Sequence, residues 1–152
     1  MSFSFPFSFH KEFFISEDAH MVIGFLKNYQ EALPSFFPGL HRFEQQGPQV
    51  YLWEFEPLRY GGKQLTISFK TTFDESENKI RITPVAPPTE TNLKGEWSVS
   101  AVPEGCTLKM HFELEFSVPL PKLMKAMVVP LANTELSKLF ERYADNLQKH
   151  FS

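Results

Sequence analysis

Few residues in this sequence are placed where they could do chemistry, and Lys11 is the first of them. It falls in phase with Phe9 and Phe13 in an alternating apolar stretch, so strict alternation points its ammonium group toward the apolar face. A lysine there could bind the carboxylate head group of a ligand or take part in acid–base chemistry. The favoured alternative is a β-bulge near Glu12 that rotates Lys11 outward, which the adjacent pair Phe13-Phe14 indicates.

Tyr51 and Glu135 are the other candidates for orienting a ligand or for titrating in an apolar environment. Tyr51 alternates in phase with Trp53 and Phe55, so all three side chains belong to one face of a strand. Glu135 follows Pro130 by about one helical turn. It is expected either to face a cavity or to lie on a solvated helix face, and the pattern favours neither.

The residues that commonly bind metals or act as nucleophiles form no recognisable motif. None of the five histidines has metal-ligand spacing to another histidine or to the cysteine. His111 alternates with Glu113 and Glu115 and could chelate a cation, although a solvated strand face is the favoured interpretation. Cys106 follows Gly105 in a turn and has no basic neighbour to activate it. The sequence therefore predicts no catalytic residue, no metal and no cofactor.

Alternating strands must position these candidates, and the first strand covers residues 3–15. Pro6 inside it predicts either an edge position or a later start of the strand. Ser16 is predicted as the N-cap of a helix that runs to about residue 27. A second short helix is predicted over residues 30–36.

The middle of the chain predicts an antiparallel meander. Each of its strands is apolar on one face and polar on the other, so the sheet should have one covered face and one solvated face. Gly61-Gly62 is typical of a hairpin turn, and residues 84–90 read as a proline-rich loop. The predicted strands cover residues 40–45, 50–60, 65–73, 79–82, 96–101 and 108–116.

The last segment, residues 122–151, reads as one long amphipathic helix broken only by Pro130. Pro130 either kinks this helix or marks the point where it begins. The fold class is therefore α+β, with a curved antiparallel sheet of about six or seven strands around a C-terminal helix. One helix face is predicted to carry the apolar residues Leu123, Met127, Val128, Leu131, Leu136, Leu139, Phe140, Tyr143 and Leu147.

Four local patterns, in this order and spacing, resemble the START-related SRPBCC superfamily with its helix-grip fold, over nearly the whole chain. They are Ser16-Glu17-Asp18 after the first strand, Gly95-Glu96-Trp97, the hairpin at residues 102–108, and Val118-Pro119-Leu120-Pro121 before the final helix. The resemblance implies a cavity between sheet and helix that holds lipids, sterols, polyketides or quinones. It also admits cyclases, hydratases and co-chaperone-like domains.

The predicted function is non-catalytic binding or transport of a hydrophobic small molecule, such as a lipid, an isoprenoid, a quinone or an aromatic compound. One alternative is a cyclase- or hydratase-type enzyme that uses the same cavity. Another is a protein-interaction module with a filled core, for which residues 33–37 are the candidate exposed patch, or else a lid over the cavity. The residues predicted to contact the ligand are Lys11, Tyr51, Trp53, Phe55, Phe69, Trp97, Phe112, Met127, Leu131 and Glu135.

Composition narrows the remaining possibilities. The 152 residues are expected to form a single domain spanning 1–152. The net charge of −3, with mixed signs along the chain, argues against a nucleic-acid partner. One cysteine allows no internal disulfide, and no apolar run reaches the length of a membrane span. A soluble cytoplasmic protein is expected, with transient membrane contact left open.

Overall fold

Seven strands form one antiparallel sheet in the computed structural model, which describes residues 2–60, 62–85 and 91–152, and of Tyr60 only the backbone. The predicted turn at Gly61 and the core of the predicted loop at 86–90 lie outside the described residues. The strands are β1 Phe3–Ile15, β2 Leu40–Gly47, β3 Val50–Tyr60, β4 Lys63–Glu75, β5 Lys79–Pro84, β6 Asn92–Val102 and β7 Gly105–Val118. The helices are α1 Ala19–Leu26, α2 Tyr29–Ala32 and α3 Lys125–Phe151.

The sheet is a meander from β2 to β7, and β1 adds beside β7, which gives the order β1-β7-β6-β5-β4-β3-β2. β1 and β7 pair from Phe3 opposite Val118 to Ile15 opposite Cys106 with no shift in register. The predicted bulge near Glu12 is therefore wrong, because every residue of β1 keeps its alternation. Pro6 lies in an edge strand as predicted, where a missing backbone donor costs little.

A β-bulge in β3 shapes the end of the β3–β4 hairpin. The pairing with β4 shifts between Phe55 and Leu58, and Pro57 lies within this irregular step. Proline suits a bulge because it cannot donate a ladder hydrogen bond. The bulge bends the strand just before Leu58 and Arg59, two residues that border the space under α3.

The two short helices differ in extent from their prediction. α1 begins at Ala19 with Asp18 as its N-cap, so the assignment of Ser16 to that position is wrong. The physical reason is that β1 pairs with β7 as far as Ile15, which leaves the next residues to turn the chain. α2 ends at Ala32 because Pro34 has no N–H to continue the helical ladder.

α3 runs unbroken through Pro130 and lies against the apolar face of the curved sheet, in contact with β1 and β3. A short 3₁₀ turn at Lys122–Met124 precedes it. The alternative in which the helix begins after Pro130 is therefore wrong. No helix in the described part of the chain is long and apolar enough to cross a membrane. The buried stripe of α3 consists of Val128, Ala132, Leu136, Phe140, Tyr143, Ala144, Leu147 and Phe151.

Candidate functional site

Aromatic rings fill the space between the sheet and the second half of α3. Phe140 points from α3 into a set of phenylalanines, with ring centroids 5.2 Å from Phe37 and 5.6 Å from Phe112. Phe37 in turn stacks on Tyr143 at 4.1 Å. Trp53 is fully buried on the other side of Phe37. We call these five residues the aromatic core.

The polar side-chain atoms of the aromatic core are hydrogen-bonded to buried neighbours. The Trp97 indole N–H donates to the Tyr143 hydroxyl at 2.9 Å, and the Trp53 indole N–H donates to the Thr71 hydroxyl at 2.9 Å. Within the described residues, no buried side-chain nitrogen or oxygen is left without a partner. Gly95 shows how closely the rings pack, since a Cβ built there would lie 2.4 Å from the Phe112 ring. A ligand therefore cannot enter this part of the interior without displacing its side chains.

The buried titratable groups all favour their neutral forms. Burial raises the pKa of Tyr143, and burial followed by the Glu75 carboxylate raises the pKa of Tyr29 and of Tyr51. Burial, then the nearby acidic residues of the β1–α1 connection, raise the pKa of Cys106. None of these groups can serve as a base or as a thiolate at neutral pH. The interior thus offers apolar surface and hydrogen bonds.

The first half of α3 borders a different kind of space, which we call the open end. It is a small cavity of about 20 Å³ between α3 and the β3–β4 hairpin. Most of its lining is apolar, and Arg59 and Glu135 bring opposite charges to its rim. The lining residues are Leu58, Arg59, Leu65, Val128, Leu131, Ala132 and Glu135.

Hydrogen bonds tie only the second half of α3 to other elements in the described part of the chain. Lys11 Nζ donates to Glu141 at 3.2 Å, and the Asn146 amide donates to the Phe36 carbonyl at 2.9 Å. The bond between Trp97 and Tyr143 is the third such link. The first half is held to the sheet by apolar packing through Val128 and Ala132.

The structure divides the apolar and aromatic residues that were predicted to contact the ligand into two groups. Six lie buried within or beside the aromatic core, and their contact with a ligand stays a prediction. These six are Tyr51, Trp53, Phe55, Phe69, Trp97 and Phe112. Met127 and Leu131 are instead 62% and 54% exposed on the first half of α3, with Leu131 at the open end.

The polar candidates have partners. Lys11 keeps the inward phase of β1, and its ammonium group reaches Glu141 of α3. The side chains of both residues are partly exposed. Glu135 lies at the rim of the open end and pairs with Lys138 at 3.6 Å. Tyr51 packs its ring on Phe43 at 4.9 Å.

Two further predictions are resolved by burial. Residues 33–37 are not an exposed patch, because Leu33 and Phe37 are both buried in the core. His111 lies on the outer face of the sheet, 4.0 Å from Glu113, beside a shallow groove of about 260 Å³ lined by residues of both charge signs. No group of three or more histidine, cysteine or carboxylate side chains suited to a metal occurs among the described residues.

Two residues that line the open end, Leu131 and Glu135, were predicted from the sequence, whereas its other apolar residues were not. Leu58, Leu65, Val128 and Ala132 were not among the predicted ligand contacts, although all are apolar residues of predicted elements. A usable signal lay in the first half of α3, where Val128 and Ala132 recur at helical spacing and carry small side chains. Small side chains facing a sheet leave room that larger ones fill.

Solved structures confirm the fold. A START superfamily protein from Mycobacterium smegmatis superimposes with a TM-score of 0.67 at 16% identity, over 95% of this chain and 96% of that one. A STAR-related lipid transfer protein from Xanthomonas axonopodis gives a TM-score of 0.62 at 12% identity, over 95% of this chain and 85% of that one. The chain therefore has a START-like helix-grip fold, as its resemblance to SRPBCC proteins implied.

A third similar structure is the di-domain ARO/CYC StfQ from the steffimycin biosynthetic pathway. It matches with a TM-score of 0.60 at 14% identity, over 96% of this chain but only 50% of that one. This chain thus spans about half the length of that protein. No protein-family profile matches the sequence, and no curated protein matches it either.

Proposed function

We propose that this protein binds a hydrophobic small molecule, such as a lipid, an isoprenoid, a quinone or an aromatic compound, without catalysing a reaction on it. The ligand enters at the open end, between the first half of α3 and the β3–β4 hairpin. One observation carries the proposal: this half of α3 is held by apolar packing through Val128 and Ala132, while hydrogen bonds tie the other half in the described chain. An apolar ligand can replace apolar contacts, whereas it cannot replace hydrogen bonds.

Binding at the open end requires α3 to move away from the hairpin. The present volume of about 20 Å³ holds about one water molecule, whereas ligand pockets usually measure roughly 300–1,000 Å³. Exposing Val128 costs about 1.5–3 kcal/mol. A ligand that buries ~300 Å² of apolar surface contributes about 7 kcal/mol, which offsets the opening before the cost of association is subtracted.

Similar structures support this choice of ligand class. The lipid transfer protein of Xanthomonas axonopodis has the same fold, which favours a lipid among the candidate ligands. The two charged residues at the rim, Arg59 and Glu135, would orient a polar head group. Arg59 suits a carboxylate or a phosphate, because its guanidinium can donate two parallel hydrogen bonds.

Glu135 also supports a second candidate, a cyclase-type enzyme. Its carboxylate lines the open end and is the only carboxylate there among the described residues, so it could move a proton on a bound substrate. A Glu135→Gln variant separates the two functions. If the protein is an enzyme, the variant keeps its affinity for substrate and loses turnover. If the protein is a carrier, neither the wild-type protein nor the variant converts the bound molecule.

The first experiment is native mass spectrometry of the purified protein, followed by solvent extraction and identification of any bound molecule. The proposal predicts a co-purifying apolar compound. An unliganded mass, together with no thermal shift against fatty acids, quinones and polycyclic aromatics, would contradict it. That outcome would favour a protein-interaction module with a filled core.

A matched pair of variants places the site. Ala132→Phe places a ring in the open end, so the affinity for a fluorescent fatty-acid analogue should fall at least about tenfold. The apolar contacts that the acyl chain loses there contribute more than ~1.4 kcal/mol to binding. Ala126→Phe adds the same ring on the exposed side of the same helix and should leave the affinity unchanged. Equal affinities for the two variants would place the ligand elsewhere.

A further inference from the structure

Two exposed apolar side chains lie four residues apart around the start of α3, outside the open end. Leu123 is 93% exposed and Met127 is 62% exposed, and neither lines the open end. Ala126 and Pro130 are exposed beside them. Single exposed apolar groups are common on protein surfaces, whereas neighbouring ones mark a place where another apolar phase or partner is contacted.

Basic residues surround this patch. Lys122 and Lys125 flank Leu123 and are both exposed, and residues 117–134 contain no acidic residue. The facing hairpin is similar, because residues 57–73 include Arg59 and Lys63 and no acidic residue. Among the described residues, the carboxylate that lines the neighbouring open end is that of Glu135. It forms an ion pair with Lys138 at 3.6 Å.

The local charge opposes that of the whole protein, which carries a net charge of −3. A surface that combines exposed leucine and methionine with lysines, built from two segments without acidic residues, is complementary to the head groups and outer acyl region of an anionic bilayer. A protein partner with a flat apolar face would not by itself call for this charge segregation.

We propose that the end of the molecule formed by Leu123, Met127, Lys122, Lys125 and Arg59 docks on membranes that contain anionic lipids. Leu123 and Met127 insert among the head groups, and the basic residues contact lipid phosphates and carboxylates. Docking places the open end against the bilayer, where an apolar ligand can pass without crossing water. The role of docking in ligand transfer rests on the proposed function, whereas the binding of the protein to vesicles requires no ligand.

Co-sedimentation with vesicles tests the proposal. The protein should bind vesicles of phosphatidylcholine with phosphatidylserine and not vesicles of phosphatidylcholine alone, and added salt should weaken binding. Met127→Asp should lower the binding at least about tenfold. Met21→Asp is the matched control, since Met21 is also 62% exposed and is also the third residue of its helix. Aspartate is favourable in the first turn of either helix, so both variants should fold.

Charge reversal tests the basic residues. Lys122→Glu with Lys125→Glu should reduce the affinity for anionic vesicles about fivefold per lysine or more. Lys79→Glu with Lys109→Glu changes the net charge equally on exposed strand positions of the sheet, and it should have a much smaller effect. Equal effects of the two double variants would show that the net charge alone governs binding, which would overturn the proposal.

Other outcomes also decide the matter. Binding that is equal for neutral and anionic vesicles, or absent for both, overturns the proposal. A dimer of the wild-type protein that Met127→Asp dissociates and Met21→Asp does not would assign the patch to a second copy instead. Leu123→Asp distinguishes this inference from the proposed function, because it should abolish vesicle binding and leave ligand affinity in vesicle-free buffer unchanged. Ala132→Phe should do the reverse.

Discussion

The two halves of α3 meet the same sheet in different ways. From Glu135 onward the helix presents large rings, such as Phe140 and Tyr143, to a filled aromatic core and is tied to its surroundings by hydrogen bonds. Before that point it presents Val128 and Ala132 to a small cavity, and it exposes apolar side chains on its other side. One helix thus combines a segment anchored by rings and hydrogen bonds with a segment held to the sheet by apolar packing.

The largest expected effect comes from the anchored half. Phe140→Ala removes a buried ring that contacts Phe37 and Phe112, so the free energy of unfolding should fall by about 3–5 kcal/mol. Urea denaturation followed by circular dichroism measures the change. Leu131→Ala in the first half should cost less than about 1 kcal/mol, because Leu131 is half-exposed. A similar loss for both variants would erase the difference between the halves.

A smaller loss is expected when one hydrogen bond of the core is removed. Tyr143→Phe leaves the Trp97 indole N–H buried without an acceptor, which should cost about 1–3 kcal/mol. Tyr29→Phe is the matched change at a hydroxyl that donates to the exposed Glu75 carboxylate, which water can then solvate. It should cost less at neutral pH. The urea unfolding midpoints of the two variants measure the difference. A larger loss of stability in Tyr29→Phe than in Tyr143→Phe would contradict the prediction.

Alkaline pH should reveal the same anchor. Because burial raises the pKa of Tyr143 above its ordinary value of 10.0, the unfolded chain loses this proton first. The unfolded state then binds fewer protons, so the contribution of Tyr143 to stability is constant below about pH 10 and falls above it by about 1.4 kcal/mol per pH unit. Tyr143→Phe should make the decline shallower, although Tyr29 keeps part of it. An identical slope in the variant would show that Tyr143 ionises equally in both states.

The smallest effect is expected at the ion pair between Lys11 and Glu141. Their side chains are 33% and 46% exposed, so solvent screens the attraction. A double-mutant cycle with Lys11→Gln and Glu141→Gln should give a coupling below about 1 kcal/mol. A coupling of several kcal/mol would mean that this pair, and not the aromatic core, anchors the second half of α3.

Much of the fold could be predicted because each strand buries one face. Alternation in β1 predicted its extent and Pro6 indicated its edge position, and the register with β7 follows the alternation residue by residue. The predicted bulge at Glu12 failed because a lysine in an inward phase can reach past the sheet edge to a helix carboxylate, here Glu141. Sequence alone could not reveal that partner, which is 130 residues away.

The candidate site was predicted less well. Trp53 and Trp97 were correctly assigned to the apolar face, where other aromatic rings pack around them, and their contact with a ligand stays a prediction. Whether apolar side chains line a cavity or fill it depends on their volumes and on the distance between helix and sheet. Neither quantity is visible in the alternation of residue types.

The sequence by itself determined the order of the elements, the apolar face of every strand and the long C-terminal helix, because those features follow from periodicity along the chain. The tertiary structure alone decided which apolar positions of α3 are buried. Leu123, Met127 and Leu131 were predicted on the buried face and are exposed, while Val128 and Ala132 beside them are covered. Burial of a helical residue depends on what lies opposite it, and the residues opposite α3 come from strands far away in the chain.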